Sequence, residues 1–293
     1  MNRQTFLRRS LTGLAASVAC HAWGSTREIT RGNASALRIG LTPVILADQA
    51  AFLGRWSDYL ARELGSPVTF VARESYQGVL SLLFSGQLDA AWICGYPYTR
   101  YQQQLQLLAV PLFQGRPLYQ AFLIRPKQPG PVINSWSDLK GRVLAYSDPL
   151  SNSGWLVAQS ELHAIGMKPR DLQKGFFAHS HRNVAEAVAA RLAHAGAIDG
   201  YVWETMRQQQ LAGADHTEVV WRSEAYGFPP IVVRQGTQHA KTQQLQNILL
   251  NMASQAEGQT LLKALNLTGF QQGGAELYAS IARMAAQTEA RPA

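Results

Sequence analysis

Short apolar runs alternate with helical stripes twice along this chain of 293 residues, and extended segments separate the two blocks. In the first block, residues 37–42 read as a strand stopped by Pro43. Leu53, Trp56, Leu60 and Leu64 then recur at helical spacing within 48–64. Residues 68–71 form a second strand, Val79, Leu80 and Leu83 mark a helix ending at Ser85-Gly86, and 90–93 is a third, almost wholly apolar strand. Apolar strands alternating with amphipathic helices demand a parallel sheet covered on both faces. The pattern restarts with a strand at 143–146, a helix at 153–165 closed by Gly166, and a strand at 176–178. A stripe of Val184, Ala187, Val188 and Leu192 closed by Gly196 follows, then a strand at 198–202. Extended runs at 105–113, 118–124, 219–221 and 230–233 lie between and after the blocks. Two helices finish the chain, one carrying Leu245, Ile248, Leu249 and Met252, the other near 274–289.

The expected fold class is therefore α/β. It has two lobes, each a mostly parallel sheet flanked by helices, joined by crossings near 117–124 and 229–233. Lobe 1 would comprise 37–116 plus 229–293, and lobe 2 would comprise 117–228. Strand C-termini and helix N-termini of both lobes would then converge on a cleft.

Hydrophobic residues make up 46% of the chain, so it is globular. The formal net charge is +8, but the Lys and Arg residues are scattered. No basic, aromatic-interleaved patch occurs, which argues against a nucleic-acid partner and suits a small anionic one. Arg3, Arg8 and Arg9, the short apolar run 11–19 and the small residues around Ala22-Trp23-Gly24 read as a secretory signal peptide over 1–24. A polar linker follows over 25–36. Arg8-Arg9-Ser10-Leu11 admits the twin-arginine route as well as the general one, so a periplasmic location is expected. Of two cysteines, Cys20 abuts the leader in Ser17-Val18-Ala19-Cys20, which loosely resembles a lipid-attachment box. Cys94 is then left without an internal disulfide partner and reads as a buried, inert thiol. No set of residues has metal-ligand spacing, and no cofactor motif occurs.

The segment Asp148-Pro149-Leu150-Ser151-Asn152-Ser153-Gly154-Trp155 lies where a strand hands over to a helix. The first amides of a helix have no intrahelical acceptor, and the helix dipole places positive charge there. Ser151, Asn152 and Ser153 add donors, and Gly154 lets backbone approach, so the segment reads as an anion cup. A simple helix cap needs one such residue, not three. His181 occupies a second strand-to-helix junction and can donate to the same anion. Ser153, His181 and Asp199 also match the residue types of a hydrolytic triad. Yet no glycine precedes Asn152-Ser153-Gly154 as a nucleophile elbow requires, and Asp199 falls on a strand with nothing to set it beside His181. The chain is expected not to be an enzyme.

Several segments recur in the order seen in one family: Leu-Arg-Ile-Gly-Leu-Thr-Pro at 37–43, Tyr76-Gln77-Gly78, Gly-Gln-Leu-Asp-Ala-Ala-Trp at 86–92, and Asp-Pro-Leu-Ser-Asn-Ser-Gly at 148–154. His181 ahead of Ala185-Glu186-Ala187-Val188, and Ala197-Ile198-Asp199-Gly200, complete the set. Over about 37–265 the chain resembles the extracytoplasmic phosphonate, phosphite and phosphate solute-binding proteins of ABC importers. The resemblance implies a type II periplasmic-binding-protein fold, a small oxyanion ligand, no cofactor and a monomer. Its partner would be an ABC permease or, alternatively, a membrane sensor kinase. It implies that Ser151, Asn152, Ser153 and His181 donate to the ligand's oxygens, and that Tyr76 reaches the same group from the other lobe. Around Ile93-Cys94-Gly95-Tyr96 the match needs one extra residue, so Cys94 or Tyr96 replaces a second family tyrosine, with Tyr98 a further candidate. Glu204 lies near one of two acidic positions that hold a ligand ammonium in the family. Pro229 stands at the other, so the resemblance does not carry an amino-bearing ligand to this chain.

Overall fold

A computed structural model of the chain describes residues 36–43, 50–127, 130–237 and 240–290. The leader expected at 1–24, Cys20 and all but the last residue of the linker lie outside these residues. The first stretch of the chain builds β1 (Leu37–Leu41), α1 (Ala50–Leu64), β2 (Val68–Ala72), α2 (Tyr76–Phe84), β3 (Ala90–Trp92), α3 (Gly95–Arg100) and β4 (Leu105–Leu112). The middle builds β5 (Leu118–Pro126), β6 (Val143–Tyr146), α4 (Val157–Ala164), β7 (Lys174–Phe177), α5 (His181–Ala189), β8 (Ala195–Asp199), α6 (Gly200–Gln208), α7 (Ala212–Asp215) and β9 (Thr217–Gly227). The chain ends with β10 (Ile231–Arg234), α8 (Ala240–Asn251), α9 (Ala256–Ala264), β11 (Gly269–Gln271) and α10 (Ala279–Glu289).

Two sheets result, in strand order β11-β4-β10-β3-β1-β2 and β7-β6-β8-β5-β9. Strands linked through helices pair in parallel, as β1 does with β2 and β3, and β6 with β7 and β8. The remaining pairs are antiparallel, because the crossing strands run back against those cores, so each sheet is mixed around a parallel centre. The chain passes between the sheets at 113–117 and 228–230. There Phe228 N donates to Pro117 O at 2.8 Å and holds the two passages side by side. The core of the first sheet centres on Trp56, Leu60, Leu80, Leu83 and Trp92. That of the second draws on Trp136, Leu139, Leu144 and Leu162.

The structure corrects the strand expected at 198–202. β8 ends at Asp199 and α6 begins at Gly200. The Asp199 carboxylate accepts from Val202 N at 3.2 Å, a side-chain cap that starts the helix. Gly196 does not close the preceding helix but lies inside β8, where Val184 and Val188 of α5 press so closely that a methyl group has no room. α5 ends at Ala189, and Leu192, expected on its apolar stripe, is 70% exposed. The helix expected at 153–165 opens with a π-helical turn, Asn152–Leu156, before α4. Among the described residues no helix is long and apolar enough to cross a membrane, and no group of three His, Cys, Asp or Glu is placed to hold a metal ion.

Candidate anion-binding site

Past β6 the chain turns through Ser147 and Asp148 into Ser151, whose side chain accepts from Gly154 N at 3.0 Å. The next turn is widened. Leu156 N reaches back five residues to Ser151 O at 3.0 Å, and Val157 N reaches back to Asn152 O. Such π-turns recur at functional sites. Gly154 is dictated by proximity, not by backbone angle: a methyl group there would overlap Ser147 Oγ and stand 3.1 Å from His181 Cε1. Ser151, Asn152 and Ser153 are buried, an unusual state for three consecutive polar residues.

His181 opens α5 behind the Ser180 cap, and it is buried with 0% exposure. Its Nδ1 accepts from the Asp199 backbone N–H at 3.0 Å, so in the neutral ring the proton sits on Nε2. Burial pushes the imidazole pKa down to about 3, and the ring is neutral at physiological pH. Nε2 faces Tyr76 Oη at 3.2 Å and Ser151 Oγ at 3.4 Å. When Tyr76 accepts from Nε2, its own phenolic proton is left to donate. Tyr119 Oη likewise accepts from Asn152 Nδ2 at 3.0 Å. Burial holds both phenols well above their ordinary range, so both stay protonated. The cluster is thus a set of neutral donors drawn from both sheets.

Four buried oxygens at this point have no hydrogen-bond partner: Ser147 Oγ, Asn152 Oδ1, Ser153 Oγ and Asp199 Oδ2. An unsatisfied buried polar group costs about 1–3 kcal/mol. Several in one place make this the candidate site for a polar solute. Asp148, by contrast, is fully engaged, accepting from Tyr76 N at 3.1 Å and Leu150 N at 2.8 Å. Cys94 closes the floor, where its Sγ accepts from Asn152 N at 3.2 Å. Burial pushes the thiol up to about 11, which keeps it protonated and unreactive.

Six sequence-expected residues meet here: Ser151, Asn152, Ser153, Gly154, His181 and Tyr76. The other three point elsewhere. Tyr96 Oη donates to Glu289 Oε1 at 2.8 Å, and the Tyr98 ring packs on Tyr278 with centroids 4.8 Å apart. Glu204, half-buried on α6, accepts from Gln114 Nε2 at 3.0 Å. Of the two residues left open around position 95, Cys94 touches the cluster. Tyr119 and Ser147 also line the candidate site, unannounced by any motif, and Asp199, considered above only as a triad member, brings an unpartnered oxygen to it. Tyr119 carries one usable signal, its place two residues past Pro117 on a crossing strand. Trp92, Trp155 and Trp203 are packing residues. Trp92 Nε1 donates to Pro229 O at 2.8 Å, Trp155 packs edge-to-face on Tyr146 and at a tilt on Phe177, and Trp203 Nε1 donates to Thr217 Oγ1 at 2.9 Å.

The geometry also removes the triad. Asp199 does lie beside His181, but it approaches with its backbone N–H. A relay histidine must donate from Nδ1 to a carboxylate, whereas here Nδ1 is an acceptor.

Residues 39–278 match the family described as ABC transporter, phosphonate, periplasmic substrate-binding protein. The phosphate-import protein PhnD of Mycolicibacterium smegmatis is 28% identical over 179 residues, which is 56% of this chain and 55% of that protein. The chain therefore spans about half the length of this curated relative. Among solved structures, a binding protein component of an ABC phosphonate transporter from Pseudomonas aeruginosa superposes with a TM-score of 0.79 at 19% identity, over 87% of this chain and 86% of that one. PhnD1 from Prochlorococcus marinus, solved in complex with methylphosphonate, gives 0.77 at 18% identity, over 87% of this chain and 98% of that one. At such identities the structures speak for the fold, which is the two-lobed type II architecture. The family match spans most of the chain and agrees with a donor-lined interlobe site that holds no catalytic constellation: this chain belongs to the periplasmic substrate-binding proteins of phosphonate ABC transporters.

Proposed function

We propose that this chain captures a small phosphorus oxyanion (a phosphonate, phosphite or phosphate) between lobe 37–116 plus 229–293 and lobe 117–228, and presents it as a monomer to an ABC permease. The reading rests on one observation: neutral donors and unpartnered buried oxygens from both sheets converge on the widened turn at Ser151–Gly154. Hydrogen bonds to a charged oxygen are the strong kind. Neutral donors in a dry site hold an anion without a lysine or arginine beside it.

Isothermal titration with methylphosphonate, phosphite and phosphate tests this directly. Ser153→Ala is expected to weaken the best ligand about 10-fold or more, the value of one hydrogen bond to an anion. Binding no tighter than millimolar for all three, unchanged by the substitution, removes the proposal. Pull-down from membranes is expected to recover a permease; a sensor kinase recovered instead reassigns the chain to signalling. Intact mass of the exported protein separates a freely released chain from one lipidated at Cys20.

The lobes are also tied beyond the cluster. Tyr201 Oη donates to Leu265 O at 2.6 Å, and Asn266 Nδ2 donates to Thr205 Oγ1 at 3.0 Å. These bonds belong to the shut arrangement and favour it over an open one. Tyr201→Phe keeps the ring packed against Phe113 and Phe228 but deletes the bond. It is expected to weaken ligand binding severalfold and to raise the radius of gyration of the unliganded protein in small-angle scattering.

A further inference from the structure

Two carboxylates are buried at strand ends beside the cluster, and they differ in one respect. Both oxygens of Asp148 are occupied by backbone N–H groups. Asp199 spends one oxygen on the start of α6 and leaves Oδ2 buried and unpartnered. The groups facing Asp199 come from every element around it. They are Tyr76 of α2, Cys94 ahead of α3, Tyr119 of β5, His181 of α5 and Tyr201 of α6, while Glu204 of α6 points to Gln114 and acts on Asp199 only through its charge. None of them is cationic, since His181 is neutral. The Asp199 backbone N–H holds the far side of the imidazole whose Nε2 meets Tyr76 and Ser151. Asp199 thus adjoins the cluster through the ring it shares with Tyr76 and Ser151, and its charge acts on Tyr76, Cys94 and Tyr119.

An ionised carboxylate and a bound anion in one dry space repel unless a proton lies between them. We propose that Asp199 Oδ2 accepts a hydrogen bond from a protonated ligand oxygen, so that the site takes up a phosphorus oxyanion together with one proton and rejects anions of the same shape that carry none, sulfonates and sulfate among them. This specificity role rests on the oxyanion-binding function proposed above. The proton bridges P–O and Oδ2, no covalent bond changes, and the complex holds one proton more than the separated dianion and carboxylate. Burial holds the Asp199 carboxyl up at about 7, so above that pH it is ionised in the free site and a sulfonate, with no proton to offer, meets a repelling oxygen beside the donors.

The test is calorimetric titration of the full mature chain with methylphosphonate and its isostere methanesulfonate, in wild type and Asp199→Asn. Asparagine caps a helix as well as aspartate, so α6 keeps its start. At about pH 8, above the carboxyl's own titration, wild type is expected to prefer methylphosphonate by about 10-fold or more. Asp199→Asn is expected to reduce that preference to within about 3-fold. A preference equal in both proteins overturns the proposal. So does a wild-type preference for 2-aminoethylphosphonate over methylphosphonate that Asp199→Asn abolishes, because the carboxylate then serves an ammonium. A second measurement needs no variant: wild-type titrations at about pH 8 in buffers of different ionisation enthalpy. Uptake approaching one proton per methylphosphonate bound supports the bridge, and no uptake overturns it. Tight binding without proton uptake sinks only this inference, whereas no binding of any phosphorus oxyanion sinks the function on which it rests.

Discussion

Gly154→Ala is expected to abolish measurable anion binding and to lower stability by about 1–3 kcal/mol, the usual effect of forcing a methyl group into a packed interior. The new Cβ has nowhere to go. Ser147 Oγ occupies its position, and the His181 ring blocks retreat. Relief requires the widened turn to back away from β6, which carries Ser151 and Ser153 off the imidazole. Calorimetric titration and urea unfolding measure the two effects together. Gly54 is the matched control, since it is exposed in α1 with no atom within 4 Å of an added methyl group. Gly54→Ala should stabilise the chain by about 0.5–1 kcal/mol and leave binding unchanged. If Gly154→Ala behaves like Gly54→Ala, the cup is not built as described.

The second large effect is on stability as a function of pH, where two buried groups act with opposite sign. His181 is held at about 3, against an ordinary value of 6.5. Between those values the unfolded chain binds a proton that the folded chain refuses, so stability rises with pH through that window. Asp199 is held at about 7, against 3.8. Between those values the folded chain keeps a proton that the unfolded chain releases, so stability falls as pH rises. From about pH 4 to about pH 6.5 the two slopes cancel, which gives wild type a plateau with losses on both sides. Asp199→Asn removes the falling limb. At about pH 8 the variant should be more stable than wild type by a few kcal/mol, while near pH 4 the two should be equal. Denaturant midpoints at both pH values decide it, and a gap of the same size at both would show that Asp199 is not carrying a buried charge at alkaline pH.

Where local sequence carries the physics, the fold was legible. The strands at Leu37–Leu41 and Val143–Tyr146, and the polar cup between β6 and α4, follow from apolar runs and helix-end chemistry within a few residues. The strand expected at 198–202 shows where that logic runs out. Tyr201 and Val202 are buried, so hydrophobicity does not fall where β8 becomes α6. Only the Asp199-Gly200 pair marks the boundary. The candidate site was legible in the same measure. Ser151 to Gly154 and His181 sit at helix starts, which sequence reveals. Tyr119 meets Asn152 across 33 positions, and no local pattern announces that meeting. Tyr96 is drawn away by Glu289 on α10, a helix almost two hundred residues later that packs on α3. Glu204 falls past the first turn of α6, where its neighbour is Gln114 and not the cup.

Tyr76, Ser151, Asn152 and His181 have no solvent contact at all, and Tyr76, at the start of α2, meets the His181 ring that also faces Ser151. Traffic to and from these groups must therefore wait for that tyrosine to part from the imidazole. Loading becomes a gated event, second-order when solute is scarce and levelling off at the frequency of parting when it is plentiful. On the function proposed above, the dwell time of a captured anion would be set by the same gate, and a membrane partner that pries Tyr76 from His181 would control delivery without touching the cargo.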